Sequence, residues 1–293
     1  MTSIDNISQM TTTDGRGFHW GVRTYVMGIV NVTTDSFSGD GLSTDVEAAV
    51  GQALTFQAAG ADIIDIGGES SRPPGTAYGQ GAEFVSADEE LSRVLPVIER
   101  LHKELDILIS IDTYKADVGR QAVAAGASLI NDVWGLQRDP ELAGVAAETS
   151  VPMVLMHNQA GTEYSELMPD VLASMRKSVD AARAAGVAEE AIIVDPGIGF
   201  GKTVQHNLEL IRRLREFKDT MGYPVLIGVS RKSTIGTVLG GLPADDRLEG
   251  TAAAVSMSIA NGADIVRVHD VQAMVRVVRM TDAIVRGWTP PVS

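Results

Sequence analysis

Eight short apolar runs recur between residues 24 and 271, separated by longer stretches of which most carry helical spacing, and this alternation narrows the possible folds. The runs are rich in β-branched residues. They lie at 24–32 (TYVMGIVNV), 62–67 (DIIDIG), 107–113 (ILISIDT), 128–133 (SLINDV), 151–157 (VPMVLMH), 192–197, 225–230 (VLIGVS) and 265–271 (IVRVHDV). Between them, apolar residues recur every three to four positions over 46–59, 88–105, 115–125, 164–185 and 207–221, with further stretches at 252–259 and 275–285. Several end on a glycine (Gly60, Gly126, Gly186, Gly262), the usual residue just past a helix C-terminus. Strands that are apolar almost throughout belong to a parallel sheet buried on both faces. Eight such strand–helix units predict an α/β fold, a single (β/α)8 TIM barrel. A division into two smaller α/β domains would need a linker, and no Pro/Gly/Ser-rich break supplies one. Residues 1–20, rich in Thr and Asp, are read as a short, flexible, solvated N-terminal tail, with 21–293 as the barrel domain.

Composition excludes several functions. The 293 residues contain no cysteine, which removes disulfides, thiolate nucleophiles and cysteine-held zinc or iron–sulfur clusters. A formal net charge of −14 argues against nucleic acid and anionic membranes as partners, because both are gripped by clustered Lys and Arg. An anionic ligand would need a local basic patch within an acidic molecule. No apolar run reaches the roughly 18 residues of a membrane span. Residues 1–23 also lack a signal peptide's apolar centre, so a cytoplasmic location is expected.

In a barrel of this kind the active site forms at the C-terminal ends of the strands. Those ends carry Asn31, Glu69-Ser70, Asp112, Asn131-Asp132, His157, Asp195, Ser230-Arg231-Lys232 and Arg267-His269-Asp270. Taken singly, Asp132 or Asp270 could cap a helix, His157 could be a satisfied core histidine, and Glu69 could form a loop ion pair. Together they imply a polar ligand in the barrel mouth, since the strand interiors contain almost no polar groups. Asp112, Asn131 and Asp195 suit a flat heterocycle with amino and ring N–H donors. Ser230, Arg231, Lys232, Arg267 and His269 suit phosphate. The stretch 195–202 (DPGIGFGK) brings Asp195 from a strand end into a glycine turn, beside a flexible rim bearing Phe200 and Lys202. It satisfies neither of two nucleotide motifs: a Walker A loop would need glycine where Pro196 stands, and a dinucleotide fingerprint would need it where Lys202 stands.

The motifs MGIVNVTTDSFS (27–38), DIGGESSRP (65–73), SIDTYKADV (110–118), INDVWG (130–135), DPGIGFGKT (195–203), SRKSTIG (230–236) and RVHDV (267–271) resemble those of the dihydropteroate synthase family, in the family's order. The resemblance runs from about residue 24 to the C-terminus. It implies condensation of 6-hydroxymethyl-7,8-dihydropterin diphosphate with p-aminobenzoate, giving 7,8-dihydropteroate and diphosphate in folate synthesis. By matching motif, Asp112, Asn131, Asp195 and Lys232 are expected to hold the pterin and carry catalysis. Asn31, Arg267 and His269 would take the diphosphate, with Asn31 also on Mg²⁺. Phe37, Ser70, Ser71, Arg72, Pro73, Phe200 and Ser230 would form the aminobenzoate subsite, with the loops 33–41 and 70–75 closing over it. Small-molecule substrates and a homodimer packed through the last helices complete the expectation. His206 and Asn207 are read as a helix start rather than ligand contacts.

Departures from the family pattern gather in those loops. Thr34 stands where proline is usual, Ser71 where threonine is usual, Gly39-Asp40-Gly41 replaces Asp-Gly-Gly, and the stretch 73–84 is long. They leave the pterin and diphosphate groups intact, and suggest weaker binding of sulfonamides, which mimic p-aminobenzoate. A non-catalytic pterin-binding paralogue and a pterin-dependent methyltransferase stay open as alternatives.

Overall fold

The computed structural model describes residues 9–12, 15–32, 42–69 and 84–289. Two short strands, β1 (Gln9–Thr11) and β2 (Gly17–His19), form an antiparallel hairpin. The barrel strands follow: β3 (Tyr25–Asn31), β4 (Ile63–Gly67), β5 (Leu108–Asp112), β6 (Leu129–Asp132), β7 (Met153–Met156), β8 (Ile192–Asp195), β9 (Leu226–Ile227) and β10 (Ile265–Val268). All are parallel, in the order β8-β7-β6-β5-β4-β3-β10-β9. The ring closes between β8 and β9 through one bridge, Val194 to Val225, with the Val194 N–H donating to Pro224 O at 3.0 Å. The predicted barrel is therefore present, with all eight apolar runs supplying its strands.

The helices are α1 (Leu42–Ala59), α2 (Ala87–Glu104), α3 (Ala116–Ala125), α4 (Leu142–Thr149), α5 (Leu167–Ala184), α6 (Val204–Arg212), α7 (Leu214–Met221), α8 (Ser233–Val238), α9 (Leu248–Ala260) and α10 (Val271–Arg286). The stretch 207–221, read as one helix, is broken at Arg213, whose ψ of 18° leaves the helical region. The strands alternate in what they face. Ile64, Ile66, Ile109, Ile111 and Ile130 pack outward into one large core with the helices. The residues between them point inward.

The inward layer at the N-terminal end of the barrel is wholly apolar: Met27, Ile63, Leu108, Leu129, Val154, Ile193, Leu226 and Ile265. Met10, Phe18 and Trp20 pack into the same cluster. Residues 9–12 and 15–20, read above as solvated tail, are instead the plug that covers this end. Their alternating burial explains it: Met10, Thr12, Phe18 and Trp20 are buried while Gln9, Thr11, Gly17 and His19 are exposed. Phe18 stacks on Trp20 at 5.0 Å and meets Tyr25 edge-on at 4.5 Å. Burying the side chains of Met10 and Phe18 is worth roughly 1.5–3 kcal/mol each.

Candidate active site

Moving up the same inward faces changes the chemistry. Beyond the apolar layer come Asp65 and Ser110, then Asn31, Asp112, Asn131, Asp195, Arg267 and His269 at the rim. Strand register places Gly67 between Asn31 and Asp112, and sets Asp112 beside Asn131. Residues distant in the chain therefore line one bowl.

Arg267 ties the bowl together. Its Nε donates to Asp65 Oδ2 at 2.6 Å and its Nη2 to Asp112 Oδ2 at 2.7 Å, while Asn131 Nδ2 donates to the same Asp65 oxygen at 3.1 Å. The acidic and basic halves read from the sequence thus interlock rather than lie apart. Burial works against the Arg267 charge, and Asp65 with Asp112 more than offsets it, so its pKa is raised. Burial pushes Asp112 up to about 7, against the pull of Arg267. Burial likewise pushes Asp195 up to about 6, although Gly197 N–H donates to its Oδ1 at 2.7 Å and Lys232 favours its ionised form. Lys232 is brought down to about 8 by burial and then by Arg267, with Asp195 and Asp112 opposing. These shifts fit groups held in a shared cavity of low polarity.

At the opposite wall, the His269 backbone N–H donates to Ser230 Oγ at 3.1 Å, and that oxygen lies 3.0 Å from His269 Nδ1. The hydroxyl can meet either tautomer of the neutral ring, as donor to a bare Nδ1 or as acceptor from Nδ1–H. Burial and the cations Arg267, Arg231 and Lys232 hold His269 down at about 3. Arg231 departs from its expected role. Its Nε and Nη2 grip Asp270 at 2.9 and 2.6 Å and its Nη1 meets Asp245 at 2.9 Å, so its charge is already matched. It braces the loop rather than offering donors to phosphate.

The turn 195–202 is the most tightly pinned segment of the rim. Gly197, at φ +73°, leaves no room for a side chain, since a Cβ there would lie 1.9 Å from the His157 carbonyl oxygen. Gly199 N–H donates to Asn207 Oδ1 at 2.8 Å, and the Tyr164 hydroxyl donates to Gly201 O at 2.8 Å. Phe200 and Lys202 are both buried here, not carried on a flexible rim as expected. The Phe200 ring packs with Val133 and Met156, and Lys232 Nζ stands 4.1 Å from its centroid. The tight turn, rather than any nucleotide motif, accounts for the glycines.

Several strand-end groups have structural roles. Asp132 accepts from the Trp134 and Leu136 N–H groups at 2.8 and 2.6 Å. Glu69 pairs with Lys115 at 2.5 Å, which also meets the buried Glu90. His206 closes a capping box with Thr203 at the start of α6, as expected. His157 is held neutral, its pKa pushed down to about 3 by burial and then by Lys202. Phe37, Ser70, Ser71, Arg72 and Pro73, with the loops 33–41 and 70–75 and most of 73–84, lie outside the described residues. Asp65, Ser110 and the Lys202–His157 pair were not anticipated. The signal for the first two was a polar residue at an inward position inside an apolar run.

The family model described as "Pterin binding enzyme" matches residues 27–269. The dihydropteroate synthase of Bacillus subtilis is 53% identical over 262 residues, spanning 89% of each chain. This chain belongs to the dihydropteroate synthase family. Among solved structures, a Clostridium difficile dihydropteroate synthase in the presence of pteroic acid aligns with TM-score 0.87 and 48% identity, covering 92% of this chain and 99% of that one. A Xanthomonas albilineans dihydropteroate synthase in complex with 7,8-dihydropteroate aligns with TM-score 0.84 and 40% identity, covering 94% and 98%. A dihydropteroate synthase is a transferase of folate synthesis, so the binding-only paralogue and the methyltransferase are set aside.

Proposed function

We propose that the bowl condenses 6-hydroxymethyl-7,8-dihydropterin diphosphate with p-aminobenzoate, with each wall holding one part of the substrates. Asp112, Asn131 and Asp195 accept from the amino and ring N–H groups of the pterin, and Lys232 donates to it. Arg267 and His269 face the diphosphate, and Ser230 and Phe200 border the aminobenzoate. The observation that carries this reading is Arg267, a cation bonded to the carboxylates Asp65 and Asp112 at the strand ends, with 18% of its side chain still exposed. A cation placed there can stabilise negative charge growing on the departing diphosphate.

The bond between the pterin methylene carbon and the diphosphate oxygen breaks, leaving positive charge on the pterin, which Asp195 and Asp112 stabilise. The aryl amine then bonds to that carbon and releases its proton to water. An aryl amine is nucleophilic without a strong general base, which agrees with His157 and His269 both being weak bases, brought down to about 3 by burial. Magnesium fits the donor set in one way. Among the described residues no cluster of three or more His, Asp or Glu could cage it, whereas Asn31 offers one amide oxygen at the rim. Asn31 would hold such an ion, which would supply charge neutralisation at the leaving group.

We also propose a homodimer through the C-terminal helices. Val255, Ile259, Val275 and Val278 face the core, whereas Met257, Met280 and Ile284 are 54%, 63% and 71% exposed. Sedimentation of Met280→Asp against the parent would test it, a parent that sediments as a monomer ending the idea. Among the described residues no helix is long and apolar enough to cross a membrane, and the cytoplasm is the proposed location.

The deciding experiment measures diphosphate release with p-aminobenzoate and Mg²⁺ supplied or withheld in turn. Release that needs both supports the assignment; release without aminobenzoate overturns it.

A further inference from the structure

Lys202 has no part in the chemistry above, yet its amino group is buried, and among the described residues no carboxylate pairs with it. Nζ lies 2.8 Å from His157 Nδ1 and donates to Phe200 O at 2.9 Å. A buried amine without an ionic partner is costly, and a methionine would fill the same space at less expense. The two bonds must therefore supply what an apolar side chain could not.

They span the turn between the two substrate walls. The His157 N–H donates to the Asp195 carbonyl at 2.9 Å, and the His157 carbonyl closes over Gly197. One end of the brace is thus fixed beside Asp195. Its other end is the carbonyl of Phe200, whose ring lies against Lys232. Burial, helped by the charge of Lys232, lowers Lys202 to about 7, while Asp195 acts to raise it. Whether charged or neutral, the amine keeps hydrogens for both bonds.

We propose that Lys202 is a positioning residue for the aminobenzoate side. Its amino group, held between His157 Nδ1 and the Phe200 carbonyl, fixes the Phe200 ring in the place that the second substrate needs. This rests on the reading that Phe200 borders the aminobenzoate, and the test separates the two.

Lys202→Met, Phe200→Ala and the double variant are compared with the parent by steady-state kinetics, with the pterin diphosphate Kd measured by calorimetry. Lys202→Met should raise the aminobenzoate KM about tenfold, leave the pterin Kd within about twofold, and add little to Phe200→Ala in the double variant, as residues acting through one another do. An unchanged aminobenzoate KM in Lys202→Met, a parallel loss of pterin affinity, or full additivity with Phe200→Ala would each overturn the proposal. An inert Phe200→Ala would instead sink the subsite reading, and the proposal with it. Should Lys202→Met fail to fold, His157→Leu, which strips the lysine of one acceptor, carries the same comparison.

Discussion

The two ends of this barrel stand on the same strands and the same inward face, yet they differ in almost every residue. Leu108 at the N-terminal end becomes Asp112 four residues on, Ile193 becomes Asp195 and Ile265 becomes Arg267. The lower end is closed by Met10, Phe18 and Trp20 and consists of side chains that gain from burial. The upper end buries Asp65, Asp112 and Asp195 and half-buries Lys232 and Arg267, which lose hydration and recover part of it through one another and the Gly197 N–H. Stability and chemistry are thus separated along the barrel axis, by as little as one strand pleat.

The largest expected effect lies at the lower end. Phe18→Ala should cost about 3–5 kcal/mol of unfolding free energy in a denaturant titration and leave pterin affinity unchanged. A matching loss of affinity would show that the two ends are not independent. Next comes Asp195→Ala, expected to weaken pterin diphosphate binding about 100-fold or more by calorimetry with a small change in Tm. Retained affinity would remove Asp195 from the pterin wall.

A smaller effect follows pH. The folded pKa of Asp195 is raised to about 6 from 3.8, so its contribution to stability is complete below 3.8 and is lost as pH rises through 6. Ligand binding runs the other way, because N–H donors need the ionised carboxylate. Pterin affinity should therefore begin to fall below pH 7, as Asp112 takes up a proton, and fall more steeply below 6 as Asp195 follows; a flat profile from pH 7 to 5 would argue against ionised carboxylates on the pterin wall. The smallest effect belongs to the surface: Arg120→Ala, which breaks an exposed pair with Glu148, should move neither Tm nor activity measurably.

The barrel was legible because each strand is a buried apolar run and each helix repeats its own period, both local signals. The hairpin escaped notice because three-residue strands alternating with Gln, Thr and His resemble a polar tail until a barrel end is there to receive Met10 and Phe18. Helix α4, at Leu142–Thr149, and helix α8, at Ser233–Val238, were too short to show a period. Their places at strand ends brought Asp112, Asn131, Asp195 and Lys232 forward, family motifs gave them their expected role, and the structure gathers them at one rim. What no motif conveyed was pairing. That Arg231 is spent on Asp270, and that Asp65 holds both Arg267 and Asn131, depends on distances between segments up to about 200 residues apart.

The seam between β8 and β9 has a consequence for the whole hoop. Every other joint in the ring is a ladder of at least two rungs, whereas this one is a single bridge between Val194 and Val225. Asp195 stands on one lip of the gap, with Ser230 and Lys232 on the other. A molecule gripping both lips acts as a clasp, so occupancy tightens the barrel where its own hydrogen bonding is thinnest, and the Val194 amide is where slowed exchange with solvent would register that grip first.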